Sequence, residues 1–141
     1  FRKFWRQVYN SGIARINLYK KYPESLKLVH LLPMVFTVGV LSLMVLFLVG
    51  VVLMFSPSLF LFASIVGFLL CVCALSPIAL YTLLIVVDSS IRNKSLNIGL
   101  LSVRAAFVQL MGYGFGFIEA WWKRCVRGKS EFAAYEKNFY K

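Results

Sequence analysis

Residues 31–87 read LLPMVFTVGVLSLMVLFLVGVVLMFSPSLFLFASIVGFLLCVCALSPIALYTLLIVV and include no Asp, Glu, Lys, Arg or His. A membrane helix needs roughly 20 predominantly apolar residues, so this uncharged run is too long for one crossing and long enough for two. The Ser-Pro-Ser sequence at 56–58 divides the run into segments 31–55 and 59–87. Region 26–95 is therefore predicted to form a transmembrane helical hairpin followed by a polar loop.

A pair of core helices in a soluble protein is the alternative explanation of this run. Helices of soluble domains carry one apolar stripe and one polar face. From Val38 to Phe55, however, only Gly39, Ser42 and Gly50 interrupt the large apolar side chains. The whole chain is 60% hydrophobic and has a mean hydropathy of +0.78. This composition is typical of a membrane protein and disfavours the soluble alternative.

The net charge of +11 is confined to the flanks of the uncharged run. The basic residues before the hairpin are Arg2, Lys3, Arg6, Arg15, Lys20, Lys21 and Lys27, and those just after it are Arg92 and Lys94. Positive residues beside membrane spans are retained on the cytoplasmic side, and anionic lipid headgroups attract them further. This pattern predicts a multi-pass protein with cytoplasmic flanks, a lipid bilayer as partner and no nucleic acid.

Residues 1–25 have the periodicity of an amphipathic helix. At 100° per residue the side chains sort onto two faces. Trp5, Val8, Tyr9 and Ile16 share one face, and Gln7, Asn10, Ser11 and Arg15 share the other. Basic and aromatic residues at the margins suit the headgroup zone, so we predict an interfacial helix under a cytoplasmic domain. A helix whose polar face only meets water is the alternative.

The free energy of inserting the third hydrophobic segment, 96–122, into the membrane is close to zero. Its strongly apolar residues contribute about −5 kcal/mol, while Arg104 and Glu119 would cost about +3 kcal/mol each at mid-bilayer. The basic tail 123–141 would lie on the side opposite the first basic flank if this segment crossed, which the positive-inside tendency disfavours. We therefore prefer a re-entrant or interfacial helix to a third transmembrane helix.

One face of this segment is suited to close helix packing. Gln109, Gly112, Tyr113 and Gly116 share it by helical phase. Glycines four residues apart allow another helix to approach closely, and Gln and Tyr side chains can form hydrogen bonds across such a contact. We predict helix packing at Gly112, Tyr113 and Gly116.

The sequence predicts neither a catalytic residue nor a metal site in this chain. Asp88 is its only aspartate, so no pair of aspartates can bind a metal ion. His30 is the only histidine, and no nucleophile-elbow pattern accompanies it.

Four stretches resemble a known family of membrane enzymes. They are RQVYNSGIAR at 6–15, YPESLKLVH at 22–30, GYGFGF at 112–117 and EFAAYEKNFYK at 131–141. Together with the hairpin, they resemble the C-terminal membrane region of bacterial family 2 glycosyltransferases of polysaccharide biosynthesis. The resemblance implies a nucleotide-sugar-binding α/β domain upstream, an interfacial helix with a Gln-containing motif, and membrane helices in the bacterial inner membrane.

The resemblance also implies substrate-binding residues. Gln7 would approach the donor or acceptor pocket, with Gly12 nearby and Arg15 meeting a phosphate or a lipid headgroup. Processive synthases have Gln followed by an Arg-Trp pair, whereas this chain has Tyr9-Asn10, so a polymer channel is not expected. The family's metal-binding aspartates and catalytic base lie in the upstream domain. A divalent metal is therefore expected there and no cofactor here, and this chain alone is not expected to be active.

Two rival functions belong to other classes. A small non-enzymatic multi-pass scaffold or assembly subunit would bind partners through Gly112, Gly116 and the tail. A transporter fragment is weaker, because no charged residue lies inside the hairpin to mark an ion path. The chain begins with Phe1 and lacks the apolar core of a signal peptide, so we expect further sequence upstream.

Overall fold

A computed structural model describes residues 1–55 and 60–128, and in these ranges the chain is helical without strands. The long helices are α1, Arg2–Lys21; α2, Leu32–Met54; α3, Phe60–Asn93; and α4, Leu96–Trp121. Short 3-10 turns at Pro23–Ser25 and Leu28–His30 join α1 to α2, and a π-helical turn at Trp122–Val126 follows α4. The prediction of an all-α membrane protein is confirmed: among the described residues, three helices are long and apolar enough to cross a bilayer.

Helix α1 ends where the sequence requires it. The residue before Pro23 is Tyr22, which has φ −135° and ψ 89° because a following proline disfavours helical backbone angles. Lys20 and Lys21 lie in the last turn of α1, where positive charge interacts favourably with the helix dipole. The second 3-10 turn is closed by the Lys27 amide, which donates to His30 Nδ1 at 3.0 Å.

Helices α2 and α3 follow the predicted hairpin, but α3 is longer than the uncharged run. The 23 residues of α2 extend about 34 Å, enough to cross a hydrocarbon layer. The 34 residues of α3 extend about 51 Å, well beyond the layer. Its last turns are polar and continue past Val87, where Asp88 accepts a hydrogen bond from Arg92 at 2.8 Å. The Ser-Pro-Ser sequence at 56–58, which is predicted to divide the two segments, lies outside the described residues.

The proline inside α3 is accommodated by its neighbour. Pro77 has no amide hydrogen, so the carbonyl of Cys73, four residues earlier, loses its helical donor. The Ser76 hydroxyl donates to that Cys73 carbonyl at 3.4 Å. A serine beside a membrane proline therefore satisfies the backbone group that the proline leaves unpaired.

The chain divides into two compact units. Unit 2, Gly39–Val103, contains the close approach of α2 to α3 at Gly50 and Gly67. A Cβ on Gly50 would lie 2.8 Å from the Gly67 carbonyl oxygen, so no larger residue fits there without a backbone shift. The turn between α3 and α4 is tight, with Lys94 at φ 50°. After this turn, Gly99 in α4 packs close to α3.

Unit 1 comprises residues 1–38 and 104–141, of which 129–141 lie outside the described part. Its buried core is built from α1 and α4: Ile13, Ile16, Phe117 and Ala120. The partly buried side chains that pack around this core are Tyr9, Leu26, Leu31, Met34 and Tyr113. The apolar face of α1 that the sequence assigned to lipid is thus largely covered by α4.

Candidate functional site

Glycines bring α1 and α4 into backbone contact. A Cβ on Gly12 would lie 2.8 Å from the Phe117 amide nitrogen, and a Cβ on Gly116 would lie 2.9 Å from the Tyr9 carbonyl carbon. A Cβ on Gly112 would meet the Val8 side chain at 2.6 Å. We call the close packing of α1 on α4 at Gly12, Gly112 and Gly116 the glycine interface. It has the small-residue character of close helix packing in membranes.

The two helices of the glycine interface run in the same direction. In three contacts the residue numbers rise together along both helices. These contacts are Phe1 with Arg104, Trp5 with Phe115, and Asn17 with Arg124. The Arg104 guanidinium lies 4.2 Å from the centroid of the Phe1 ring. Helix α1 therefore lies along α4 from its first residue to its last turns.

The carboxylate of Glu119 is the centre of a polar cluster on this contact. It accepts hydrogen bonds from the Tyr9 hydroxyl and from the Lys123 ammonium group. Nearby, Arg124 donates to the Asn17 side-chain oxygen at 2.7 Å. From the sequence alone, Glu119 was counted as an unpaired charge in a hydrophobic segment. In the structure its charge is balanced by Lys123 one turn later, which lowers the cost of placing it beside apolar residues.

An open groove of about 470 Å³ lies on α1, lined by Trp5, Arg6, Tyr9 and Asn10. We call it the aromatic groove. Arg6 is exposed, whereas Asn10 is only 7% exposed. Periodicity had placed Asn10 on the water-facing side, and this expectation is wrong because the buried arc of α1 extends from Gly12 through Ile13 to Asn10. Two aromatic rings, a guanidinium and an amide together can contact a sugar ring or a phosphate.

The residues assigned by family resemblance lie in three different environments. Gln7 is exposed and does not line the aromatic groove, and its backbone carbonyl accepts a hydrogen bond from the Ser11 hydroxyl at 3.0 Å. Gly12 lies within the glycine interface, surrounded by the backbone of α4. Arg15 is half-buried beside Tyr113, whose buried hydroxyl has no aligned hydrogen-bond partner among the described residues. The structure does not bring these three residues together in one pocket.

The residues predicted for helix packing lie against α1. Gly112 and Gly116 contact the side chain of Val8 and the backbone of Tyr9, and Tyr113 stacks with Phe117 at a ring separation of 6.3 Å. Gln109, which shares their helical phase, is exposed. The sequence analysis missed the aromatic groove, although its signal was present. Two aromatic residues four apart, each followed by a polar residue, form a polar and aromatic edge on one helix.

Within residues 1–55 and 60–128, no three His, Cys, Asp or Glu side chains are grouped so that they could bind a metal ion. Comparison with protein-family models, with curated proteins and with solved structures found no match to this chain. Its architecture defines the class: a helical multi-pass membrane protein, with three apolar helices suited to a lipid bilayer and one amphipathic helix packed on the last of them.

Proposed function

We propose that this chain is the membrane-anchoring C-terminal part of a glycosyltransferase in the bacterial inner membrane. The enzyme would transfer a sugar from a nucleotide-sugar donor to a lipid-linked or glycan acceptor. The reaction would take place in a catalytic domain upstream of α1, where the divalent metal would also bind. The family resemblance of 6–15, 22–30 and 112–117 supplies this class of reaction.

The aromatic groove is the structural observation that supports the proposal best. Carbohydrate and lipid-phosphate acceptors present apolar ring faces, hydroxyl groups and phosphate oxygens. Trp5 and Tyr9 offer aromatic faces to such a ligand, while Arg6 and Asn10 offer hydrogen-bond donors. The groove is on the first helix of the chain, directly after the point where the catalytic domain would join. An acceptor held there would lie close to that domain.

The glycine interface gives the groove a fixed position. A helix that only floated on lipid could rotate and slide, but α1 is in backbone contact with α4 at Gly12 and Gly116. Its side chains are therefore held at one height and in one direction. Such preorganisation favours reaction by placing an acceptor in a single orientation.

The test compares Arg6→Gln with Lys94→Gln in the full-length protein, by sugar transfer in membrane fractions. Both variants remove one exposed positive charge, but Lys94 lies in the turn after α3, outside the groove. We expect Arg6→Gln to raise the acceptor KM, because a charge-assisted hydrogen bond contributes about 1.5–3 kcal/mol. Equal KM values for the two variants would contradict the assignment of the groove to the acceptor.

Gln7→Ala tests the residue carried over from the family resemblance. If Trp5 served only as a membrane anchor, Gln7→Ala would be expected to lower sugar transfer more than Trp5→Leu. Since Trp5 lines the aromatic groove and packs against Phe115, it is not a neutral control. Gln109→Ala replaces it, because Gln109 is exposed on α4. Similar rates for Gln7→Ala and Gln109→Ala would remove Gln7 from the proposed site.

The non-enzymatic scaffold remains the second candidate, but the glycine part of the docking surface expected for it is occupied. Gly112 and Gly116 were expected to receive a partner, and in the structure α1 of the same chain covers both. The sequence upstream of Phe1 separates the two functions. An α/β domain with paired aspartates there supports the enzyme, and a start codon directly before Phe1 supports the scaffold.

A further inference from the structure

Helices α1 and α4 share one position relative to the membrane. They are parallel, and they are in contact from Phe1 with Arg104 to Asn17 with Arg124. The glycine interface between these ends leaves no room for lipid or water. If residues 104–124 crossed the bilayer, α1 would have to cross with them.

Contacts with the first turns of α2 fix the depth of α1 and α4 relative to the membrane. Thr37, which has no solvent exposure, donates to the carbonyls of Pro33 at 2.8 Å and Leu110 at 3.3 Å. Phe36 meets Phe107 edge-on at 5.6 Å between ring centroids. A Cβ on Gly114 would lie 2.6 Å from the Pro33 carbonyl oxygen.

The lengths of helix in contact indicate that α2 and α4 cross each other at an angle and do not run side by side. Residues 107–114 of α4 extend roughly 10 Å, yet their partners on α2 fall within 33–37, roughly 6 Å of helix. These partners are the first turns of an apolar helix that begins at Leu32, shortly after the exposed Lys27. The middle of α4 therefore lies at the depth where α2 enters the hydrocarbon layer.

The distribution of charge agrees with a position at the membrane surface. Of the 16 Lys and Arg residues in the chain, only Arg92 and Lys94 belong to unit 2. In the described part of unit 1 the acidic residues are Glu24 and Glu119, and Glu119 is paired with Lys123. Trp121 and Trp122 are 43% and 49% exposed at the end of α4, and tryptophan prefers the interface.

We propose that α1 and residues 104–126 form a two-helix layer that lies along one membrane surface and binds anionic phospholipid headgroups. Residues 127 and 128 then lie on the same side of the membrane as α1. The alternative, in which the pair crosses, would take Arg6 and Arg15 through the hydrocarbon, which is costly for charged side chains. This proposal is independent of any glycosyltransferase activity.

Cysteine labelling in cells tests the side of the membrane. The natural cysteines Cys71, Cys73 and Cys125 are replaced by serine in the full-length protein. Lys3→Cys, Phe55→Cys and Arg127→Cys are then introduced one at a time. Phe55 is 82% exposed directly after α2. A helix that crosses the bilayer has its two ends on opposite sides, so Phe55 reports the side opposite Leu32. Intact cells and inverted vesicles are treated with a membrane-impermeant maleimide.

We expect a cysteine at 127 to label in the same preparation as the cysteine at 3 and in the opposite preparation to the cysteine at 55. Labelling of 127 with the pattern of 55 would overturn the proposal, because residues 104–126 would then cross the bilayer. All three variants share one cysteine-free background, so they differ only in the position of the cysteine and their labelling patterns can be compared directly.

Brominated lipids test the chemical class of the partner. The purified full-length protein is reconstituted in phosphatidylcholine vesicles that contain an equal minor fraction of either brominated phosphatidylglycerol or brominated phosphatidylcholine. In variants with Trp121 and Trp122 as the only tryptophans, the fluorescence reports the lipids near the end of the two-helix layer. Each nearby basic residue attracts anionic lipid, so we expect at least about twofold stronger quenching by phosphatidylglycerol, and a loss of the difference at high salt. Equal quenching by both lipids would refute the anionic-lipid part of the proposal.

Discussion

Replacing Gly116 by alanine is the most direct perturbation of the glycine interface. The new methyl group would lie 2.9 Å from the Tyr9 carbonyl carbon and 3.2 Å from the Tyr9 Cα, both backbone atoms that cannot rotate away. Overpacking of this kind typically costs about 1–3 kcal/mol. Alanine also favours the helix over glycine by about 1 kcal/mol, which offsets part of that cost. We expect Gly116→Ala to lower the free energy of unfolding by up to about 2 kcal/mol.

Gly39→Ala is the matched control, because the position of its Cβ has no neighbouring atom within 4 Å. Only the helix-propensity gain operates there, so Gly39→Ala should leave the protein equally stable or stabilise it by up to about 1 kcal/mol. Both variants are unfolded in detergent micelles with increasing dodecyl sulfate, and the transition is followed by tryptophan fluorescence and circular dichroism. If Gly116→Ala is tolerated as well as Gly39→Ala, the backbone contact between α1 and α4 is not as close as described.

Two further substitutions probe the polar contacts of unit 1 by the same unfolding measurement. Glu119→Gln removes the charge that faces Lys123 and should destabilise the protein by about 1 kcal/mol, whereas Asp88→Asn in an exposed ion pair should change stability by less than about 0.5 kcal/mol. Equal effects would contradict a special role for Glu119. Thr37→Val removes a donor to two backbone carbonyls and should cost about 0.5–1.5 kcal/mol. The loss should exceed that of the control Thr82→Val, at a half-buried position of α3. A smaller loss at Thr37 than at Thr82 would show that the crossing of α2 and α4 does not depend on this hydroxyl.

The helices themselves could be predicted from sequence because their signals are local. The absence of charge from 31 to 87 predicts membrane helices by length alone, and α2 at Leu32–Met54 lies within one residue of the predicted segment 31–55 at each end. Helix α3 extends beyond the predicted segment 59–87, because the hydrophobic run indicates only the part of the helix that would lie in lipid and not where the helix ends. Polar residues such as Asp88 and Arg92 extend a helix readily once an i, i+4 ion pair is available.

The partner of α1 could not be predicted, because apolar side chains at helical spacing pack on lipid and on protein equally well. Periodicity placed Trp5, Tyr9 and Ile16 on one face and gave no information about what covers it. The decisive signal was in the glycines: Gly116 was recognised as a packing residue, but Gly12 was assigned to substrate binding by family resemblance. Glycines on both of two helices indicate that those helices face each other, since each needs the other to be small.

The position of the aromatic groove depends on contacts that lie outside it. Trp5 and Tyr9 are held by the backbone contact of α1 with α4, and α4 is in turn held by the Thr37 hydroxyl at the entry of α2. Because α2 is anchored by the hydrocarbon layer, this series of contacts sets the height of the groove above the membrane. An acceptor with a lipid anchor presents its reactive group at a fixed height too. Under the proposed function, a rigidly seated α1 would therefore suit a membrane-bound acceptor better than a soluble one, which could approach a catalytic domain from any direction.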